Sequence, residues 1–361
     1  MRNGLGFWSC ALAIAVLASG CSMSTVPGSG GVGQPSGSPA RLLIDSPVTW
    51  GGQVRCGSMD CRMVVVEHEN NAVVLHQLNG RTSRRLDKQP VAYHPDSAIW
   101  LSDNLVGAAV EASSSIDIFR VEGERLVRVH QAHVGFAPRD VVLVESAQGR
   151  YRMLATPYSG KEVAWVDWRE DNAEAAKVTK TRWCEAPWHP VRVARLPGGA
   201  GSGYAAACLD DRRVVAVPDS DLMGAPRVLA SFNAVARQSR PSPSGLWLYV
   251  ALETGGRNAR IHMESGELQW IDAPQTGAVA VAPLSDDLVV WSDDRRLYLQ
   301  RLGPKGEVLE TRDHQTSGFS TGLQWLDVDM DGERDMVVYN SSGETVDILF
   351  GPLWEQAKRR Q

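Results

Sequence analysis

A short hairpin pattern repeats along this chain and limits its fold more than any other feature. The clearest copy, at residues 336–349, has an apolar strand, a polar turn at 340–343 and a second strand with alternating apolar residues. This order is typical of two antiparallel strands joined by a turn. Six further copies begin at Met63, Val106, Met153, Tyr204, Leu248 and Leu288. Seven such units predict a repetitive all-β protein.

The spacing of the copies selects among the folds that such hairpins can build. Their second strands recur at intervals of roughly 37 to 51 residues, the length of one four-stranded blade. A lone hairpin cannot bury its apolar face, whereas blades stacked around an axis can. The sequence therefore predicts a seven-bladed β-propeller over residues 41–352. A pair of β-sandwiches is the alternative, but sandwiches do not require an even repeat.

The segment at residues 41–45 predicts how the ring closes. It has the composition of a strand but no hairpin partner nearby, and the last copy runs out of strand-forming residues soon after Phe350. A strand from the N-terminus would complete the C-terminal blade and remove the last open edges. Residues 353–361 are expected to form a tail with at most one helical turn.

The first residues of the chain have the order of an export signal. Arg2 is followed by an apolar run from Leu5 to Leu17 and by small residues that lead to Cys21. This is the order of a secretory signal, and the run is too short to cross a bilayer comfortably. Residues 21–40 are rich in Gly, Ser and Pro and predict a flexible tether.

The ending Leu17-Ala18-Ser19-Gly20-Cys21 resembles the lipobox of bacterial lipoproteins. The resemblance implies a signal peptide over residues 1–20, a lipid on Cys21 and attachment to a membrane. Ser22 stands where an aspartate tends to retain such proteins in the inner membrane, which implies the outer membrane instead. Whether the periplasmic or the outer surface carries the protein stays open. An ordinary signal peptide cleaved nearby is the alternative.

Four cysteines remain beyond the export segment, namely Cys56, Cys61, Cys184 and Cys208. An exported protein meets an oxidising compartment, in which disulfides persist. Of the three possible pairings, the local one joins Cys56 to Cys61 and Cys184 to Cys208. A metal site is the alternative, but the chain has neither a Cys-x-x-Cys motif nor a histidine at zinc-finger spacing.

An acidic segment before the last hairpin is the strongest chemical motif. Four aspartates occupy positions 1, 3, 5 and 9 of this segment, namely Asp327, Asp329, Asp331 and Asp335. Gly332 at position 6 permits a sharp bend, and the backbone carbonyl of Glu333 would be a further ligand. Calcium binds about six to eight hard oxygens, and carboxylates this close repel one another without a cation. The segment therefore predicts a structural Ca²⁺ site.

This arrangement resembles the calcium loops of FG-GAP and VCBS-type repeats, which form the blades of integrin α-subunit propellers and of many bacterial surface proteins. The resemblance implies a loop between two strands of one blade, with the four aspartates as side-chain ligands. An EF-hand is excluded because Val338 stands where that loop needs a glutamate. A solvated acidic turn without an ion is the alternative.

The remaining features favour binding over catalysis. A formal net charge of −5 gives no electrostatic case for nucleic acid as a partner. Four tryptophans, Trp165, Trp168, Trp183 and Trp188, form either an aromatic binding patch or packing between blades. The chain has no nucleophile elbow, P-loop or dinucleotide fingerprint.

We therefore expect a lipid-anchored binding or scaffold protein with a protein or glycan partner. A periplasmic propeller enzyme (hydrolase, lyase or dehydrogenase) and an outer-membrane assembly factor are the alternatives. The enzyme would place several His, Asp, Glu or Arg side chains at the mouth of the central channel. Fold alone does not decide among these functions.

Overall fold

The computed structural model describes residues 40–171 and 176–356, together with the backbone of residues 358–359. These residues belong to one unit, Gly37–Gln361. The predicted signal peptide, the lipidation site at Cys21 and most of the tether lie outside the described residues. Among the described residues, no helix is long and apolar enough to cross a membrane.

The described chain forms seven antiparallel sheets, which are the seven blades of a β-propeller. The first strand of the chain is β1 (Arg41–Asp45). Blade 1 then contains β2 (Thr49–Cys56), β3 (Cys61–Glu67), β4 (Ala72–Asn79) and β5 (Thr82–Pro90). Blade 2 contains β6 (Pro95–Trp100), β7 (Leu105–Val110), β8 (Ser115–Glu122) and β9 (Arg125–His133). Blade 3 contains β10 (Pro138–Ala147), β11 (Arg150–Pro157), β12 (Glu162–Arg169) and β13 (Lys177–Arg182).

The second half of the ring has the same order. Blade 4 contains β14 (Pro187–Val193), β15 (Gly203–Cys208), β16 (Arg213–Pro218) and β17 (Arg227–Ser231). Blade 5 contains β18 (Val235–Pro241), β19 (Trp247–Glu253), β20 (Arg257–His262) and β21 (Leu268–Asp272). Blade 6 contains β22 (Ala280–Pro283), β23 (Leu288–Asp293), β24 (Arg296–Leu302) and β25 (Val308–Gln315). Blade 7 begins with β26 (Ser320–Leu326), β27 (Asp335–Asn340) and β28 (Thr345–Leu349).

The predicted fold is confirmed, and the repeated hairpin is the second and third strand of each blade. These strands read as continuous apolar runs because each blade packs between two others. Val65 and Val74 face blade 7, where they join Val337 in one core cluster. Val64 and Val73 face blade 2 from the opposite side of the same strands. Strands buried on both faces lose the polar alternation of a half-exposed sheet.

The N-terminal strand closes the ring as predicted. Strand β1 is the outer strand of blade 7, antiparallel to β28, with Arg41 opposite Leu349 and Asp45 opposite Thr345. The Arg41 guanidinium donates a hydrogen bond of 2.5 Å to Asp347, which is fully buried. This pairing satisfies the strand edge that the last blade would otherwise expose.

The C-terminal tail packs against the neighbouring blade. A short helix, α1 (Leu353–Gln356), buries Leu353 in the core cluster between blades 6 and 7. After it, β29 (Lys358–Arg359) pairs antiparallel with β25 and adds a fifth strand to blade 6. Both ends of the described chain thus contribute outer strands, one to blade 7 and one to blade 6.

Both predicted disulfides are present. Cys56 and Cys61 join the ends of the β2–β3 hairpin, with their Cα atoms 3.9 Å apart. Cys184 precedes β14 and is bonded to Cys208 at the end of β15, with a Cα separation of 5.9 Å. Each bond ties the first strand of a blade, or the segment leading to it, to the second.

Candidate functional site

A cavity of about 520 Å³ occupies the centre of the ring. Its walls come mainly from the first strands of six blades, β2, β6, β10, β14, β18 and β26. Two tyrosines from second strands, Tyr204 and Tyr339, complete the lining. The cavity is therefore the central channel of the propeller.

Within the described residues, six of the seven first strands leave the regular ladder near their start. The residues without a partner on the second strand are Trp50 and Gly51, Asp96, Arg139, His189 and Pro190, Arg237, and Thr321. A β-bulge of this kind re-aims a side chain while pairing resumes beyond it. Since all first strands begin at the same end of the ring, these residues surround one channel mouth. We call Trp50, Asp96, Arg139, His189, Arg237 and Thr321 the bulge ring.

Arg139 is the most unusual member of the bulge ring. Only 9% of the residue is exposed, and its guanidinium carbon lies 3.8 Å from the ring centre of Trp188 and 4.7 Å from that of Tyr158. Its Nε is buried without a hydrogen-bond partner among the described residues. Burial lowers the pKa of Arg139, and Asp96 is the first of the charges that oppose this effect. The Arg139 side chain is thus a buried cation that is surrounded by aromatic rings and has an N–H group without an acceptor.

A second buried arginine shows how this chain satisfies a guanidinium elsewhere. Arg260 is 2% exposed and lies 4.1 Å from the ring centre of Trp247. It donates to the carbonyl oxygens of Gly303 at 2.9 Å and Pro304 at 3.0 Å. It also donates to Gln269 Oε1 at 2.9 Å. Stacking on tryptophan therefore does not require an unsatisfied arginine, and Arg139 needs a separate explanation.

Two further arginines from blade 5 reach the channel mouth. The Arg237 guanidinium lies 4.5 Å from the ring centre of Trp188, and its Nε is 3.4 Å from Glu253. Arg240 lines the cavity and donates a hydrogen bond of 3.3 Å to the carbonyl oxygen of Ser239. Burial lowers the pKa of both groups. Arginines from blades 3 and 5 therefore meet at the mouth, with the carboxylates of Asp140 and Glu253 beside them.

His189 and Asp140 form a pair on the channel wall. His189 Nδ1 is 3.0 Å from Asp140 Oδ2, while Asp140 Oδ1 accepts the Val141 amide at 2.9 Å. The other ring nitrogen, Nε2, is buried without a hydrogen-bond partner among the described residues. The His189 backbone has φ of 48°, in the left-handed region that non-glycine residues rarely adopt. Burial lowers the pKa of His189 although Asp140 opposes it, which favours the neutral imidazole.

A second His–carboxylate group lies at the mouth in blades 1 and 2. His68 Nδ1 is 3.1 Å from Asp96 Oδ1, and His94 Nδ1 is 3.4 Å from Glu111 Oε2. The two imidazole rings stack with their centres 4.3 Å apart. Burial, followed by the neighbouring Asp96 carboxylate, raises the pKa of Glu111. Burial alone would lower the pKa of His68, but the contacts with Asp96 outweigh it and raise the value.

The acidic loop joins β26 to β27 within blade 7. Carboxylate oxygens of Asp327, Asp329 and Asp335 lie within 4.8 Å of one another. The Oδ1 atoms of Asp327 and Asp329 are buried without a donor among the described residues. Asp335 accepts the Val328 amide at 2.6 Å and the Gly351 amide at 2.8 Å. Two orphaned carboxylate oxygens beside a third carboxylate suit a divalent cation.

The other expected ligands of this loop lie outside that group of three. Asp331 Oδ1 accepts the Glu333 amide at 2.8 Å, and Asp331 Oδ2 is 3.6 Å from Arg81. Arg81, in the turn between β4 and β5 of blade 1, also donates to Asp329 Oδ2 at 2.8 Å. This guanidinium neutralises part of the charge of the loop and would compete with a cation there.

The four tryptophans that lie close together in sequence divide between packing in the core and a place at the channel mouth. Trp165 packs edge-on against Trp183 between blades 3 and 4, with ring centres 6.3 Å apart. Trp168 stacks on Tyr151 in the core between blades 2 and 3. Only Trp188 of the four stands in the channel mouth, between Arg139 and Arg237.

Solved structures share the fold across most of the chain. One is "Kuenenia stuttgartiensis Hydrazine Synthase", with a TM-score of 0.65 and 11% identity, covering 86% of this chain and 97% of the other. Another is a putative 6-phosphogluconolactonase from Bacteroides uniformis, with a TM-score of 0.58 and 14% identity, covering 89% and 95%. No protein-family model matches the sequence, and no curated protein matches it. At these identities the likeness concerns the propeller architecture alone.

Proposed function

We propose that this protein binds a small anionic molecule at the channel mouth, with Arg139 as its anchor. The observation that carries the proposal is the buried side chain of Arg139, which stacks on aromatic rings and whose Nε lacks a hydrogen-bond acceptor among the described residues. A charge taken out of water without a partner costs several kcal/mol. An entering anion would replace the lost water and make charge-assisted hydrogen bonds, worth about 1.5–3 kcal/mol each.

The chemistry of the mouth favours a carboxylate or a phosphate. Either group accepts two parallel N–H bonds from one guanidinium, and Arg139 lines the cavity. The cavity of about 520 Å³ lies in the usual range of small-molecule sites. These features narrow the binding function expected from the sequence to a small ligand held in the channel. A protein or glycan partner on the outer faces remains a separate proposal.

Binding of simple anions tests this function. Succinate, citrate and inorganic phosphate would be titrated against the protein by calorimetry at low ionic strength. We expect at least one of them to bind, and Arg139→Gln to weaken that binding by about 10- to 100-fold. Arg139→Lys should recover only part of it, because lysine cannot make the bidentate contact.

A matched control is Arg84→Gln, which removes an exposed arginine that pairs with Glu124 at 2.6 Å. This variant should bind anions as the unaltered protein does. The proposed function fails if none of the three anions binds, or if Arg139→Gln binds them unchanged.

We also propose that the propeller is anchored to the outer membrane by a lipid on Cys21. Support comes from the lipobox-like sequence before this cysteine and from the Gly/Ser/Pro-rich segment that follows it. The two disulfides fit an oxidising compartment outside the cytoplasm. In this position the channel mouth would meet ligands of the periplasm or of the cell surface.

We further propose that blade 7 holds a structural Ca²⁺ ion, in the manner of FG-GAP and VCBS-type loops. Asp327, Asp329 and Asp335 would hold the ion, because their oxygens already converge. Asp331 and the Glu333 carbonyl would join only after local rearrangement, since Asp331 now accepts the Glu333 amide. The ion would balance the negative charge of the loop and fix the β26–β27 connection.

A further inference from the structure

We propose that the channel mouth hydrolyses an ester bond in its anionic ligand, with His189 as the general base and the Asp96–Glu111 carboxyl pair as the general acid. This inference rests on the proposed function, because Arg139 would hold the anionic arm of the substrate. The groups stand on both sides of this anchor. Asp140 follows Arg139 on β10, while Asp96 belongs to β6 of the preceding blade.

The base side of the site is built as a positioned imidazole. Asp140 accepts from His189 Nδ1 at 3.0 Å, which leaves the lone pair on Nε2 in the neutral tautomer. This Nε2 has no hydrogen-bond partner among the described residues, and His189 lines the cavity. A buried acceptor without a donor is costly unless a water or a ligand supplies one. The strained backbone and the bulge at His189 aim the ring at this place.

The acid side of the site is a pair of neighbouring carboxyl groups. Asp96 Oδ2 is buried without a hydrogen-bond partner among the described residues, and the pKa of Glu111 is raised by burial and then by Asp96. Two adjacent carboxyls cannot both ionise easily, so one of them retains its proton at higher pH. His68 Nδ1 lies 3.1 Å from Asp96 Oδ1, and His94 Nδ1 lies 3.4 Å from Glu111 Oε2. These histidines are positioning residues.

The reaction balances with solvent water as the only co-reactant. His189 Nε2 takes a proton from water as the water oxygen bonds to the ester carbonyl carbon. The resulting oxyanion lies beside the arginines of the mouth. The C–O bond to the alcohol then breaks, and the proton of the Asp96–Glu111 pair passes to the leaving oxygen. The products are a carboxylic acid and an alcohol, and no oxidant or reductant is needed.

The two groups predict a bell-shaped pH profile. His189 must be neutral, so activity is lost as pH falls through its pKa, which burial, opposed by Asp140, holds below 6.5. The nearby charges of Arg240 and Arg139 lower that pKa further. Glu111 must keep its proton, so activity is lost as pH rises through its pKa, which burial and Asp96 hold above 4.5 while His94 opposes them. The acid limb therefore lies below pH 6.5, and the alkaline limb lies above pH 4.5.

Three esters separate the roles of these groups. They are 4-nitrophenyl hydrogen succinate, monomethyl succinate and the neutral 4-nitrophenyl acetate. We expect kcat/KM for the anionic aryl ester to exceed that for the acetate by about tenfold or more, and Arg139→Gln to remove this preference. His189→Gln should lower kcat by about 100-fold for both succinate esters. Glu111→Gln should lower kcat for the methyl ester alone, because nitrophenolate leaves without a proton.

The control variant is His262→Gln, which removes a histidine of blade 5 that contacts Ser265 at 3.1 Å. It should leave all three rates unchanged. Calorimetric binding of succinate shows whether His189→Gln and Glu111→Gln still fold and hold the anion, and urea unfolding shows whether Arg139→Gln still folds. If succinate binds but neither succinate ester is hydrolysed above the uncatalysed rate, the acid–base inference is wrong and the binding function stands. If succinate, citrate and phosphate all fail to bind, the proposed function itself is wrong.

Discussion

The two buried arginines that stack on tryptophan rings differ in a way that separates function from stability. Arg260 is surrounded by carbonyl oxygens, whereas Arg139 has aromatic rings around it and an Nε without an acceptor among the described residues. A satisfied buried cation stabilises its surroundings, and an unsatisfied one destabilises the folded state until a ligand arrives. Binding sites are the places where folded proteins retain groups that lower the stability of the folded state.

Opposite effects on stability are therefore expected from the same substitution at these two positions. Arg260→Gln should lower the free energy of unfolding by about 3–5 kcal/mol, because it leaves several buried carbonyls without donors. Arg139→Gln, without added anion, should leave that free energy unchanged or raise it. Urea unfolding followed by tryptophan fluorescence measures both values. A loss at Arg139 as large as that at Arg260 would mean that Arg139 is a structural residue.

Most residues of the mouth gave no recognisable signal in the sequence. Trp50, Asp96, Arg139, His189 and Arg237 lie in five different blades and form no local motif. They meet only because each occupies a bulge at the start of a first strand. The position of a bulge depends on the hydrogen bonds between strands, which hydrophobic patterns do not reveal. The sequence indicates Trp188 as one of four tryptophans that could form an aromatic binding patch. Nothing in the sequence distinguishes it from the three others, which pack in the core.

At the scale of elements, local patterns were the most predictable. The hairpins and both disulfides follow from short-range spacing, and the structure confirms them. The acidic loop also lies between two strands of one blade. The contact of Arg81 with Asp329 was not predictable, because the two residues are 248 positions apart and meet only through ring closure.

The acidic loop gives a prediction for the melting temperature. With calcium at about 100 times its dissociation constant, binding should add about 2.7 kcal/mol to the free energy of unfolding. Thermal melts in calcium and in chelator should then differ by at least about 2 °C. Asp327→Asn combined with Asp329→Asn should abolish the difference, because it removes the negative charge of two of the three converging carboxylates. Arg81→Gln should increase the difference, because Arg81 competes for Asp329.

Equal melting temperatures of the unaltered protein in calcium and in chelator would contradict the site. The loop would then be an acidic turn neutralised by Arg81 alone. A magnesium series serves as the control, since Mg²⁺ demands a stricter octahedral geometry and should shift the melting temperature less.

At the scale of the whole molecule, the repeat alone was enough to predict the fold. Seven hairpins at even spacing admit few ways of burying both faces, and the ring is the one that leaves no long edge. Structures of the same architecture are only 11% and 14% identical to this chain in sequence, so very different sequences meet this requirement. By contrast, the function expected from the sequence rested on the absence of motifs, and the channel mouth carries chemistry that no linear motif encodes.

The proposed attachment to a membrane is tested on a chain that includes residues 1–40. Cys21→Ser removes the thiol that would carry the lipid. In a Gram-negative bacterial host, we expect the unaltered protein in the outer-membrane fraction and the variant in the soluble or unprocessed fraction. Metabolic labelling with a fatty acid should mark only the unaltered protein. Equal release of both forms into the soluble fraction would refute the anchor.

The strand that closes the ring also determines when folding can finish. Arg41 and Asp347, which meet across this junction, are 306 positions apart, so the contact order of the closing step is close to its maximum for the chain. Such non-local pairing is slow, and until it occurs β28 presents a bare edge to other chains. During synthesis the first strand must therefore wait for nearly every other residue to arrive. That interval is when a chaperone would be needed, and the unpaired edge of β28 is the surface that it would have to cover.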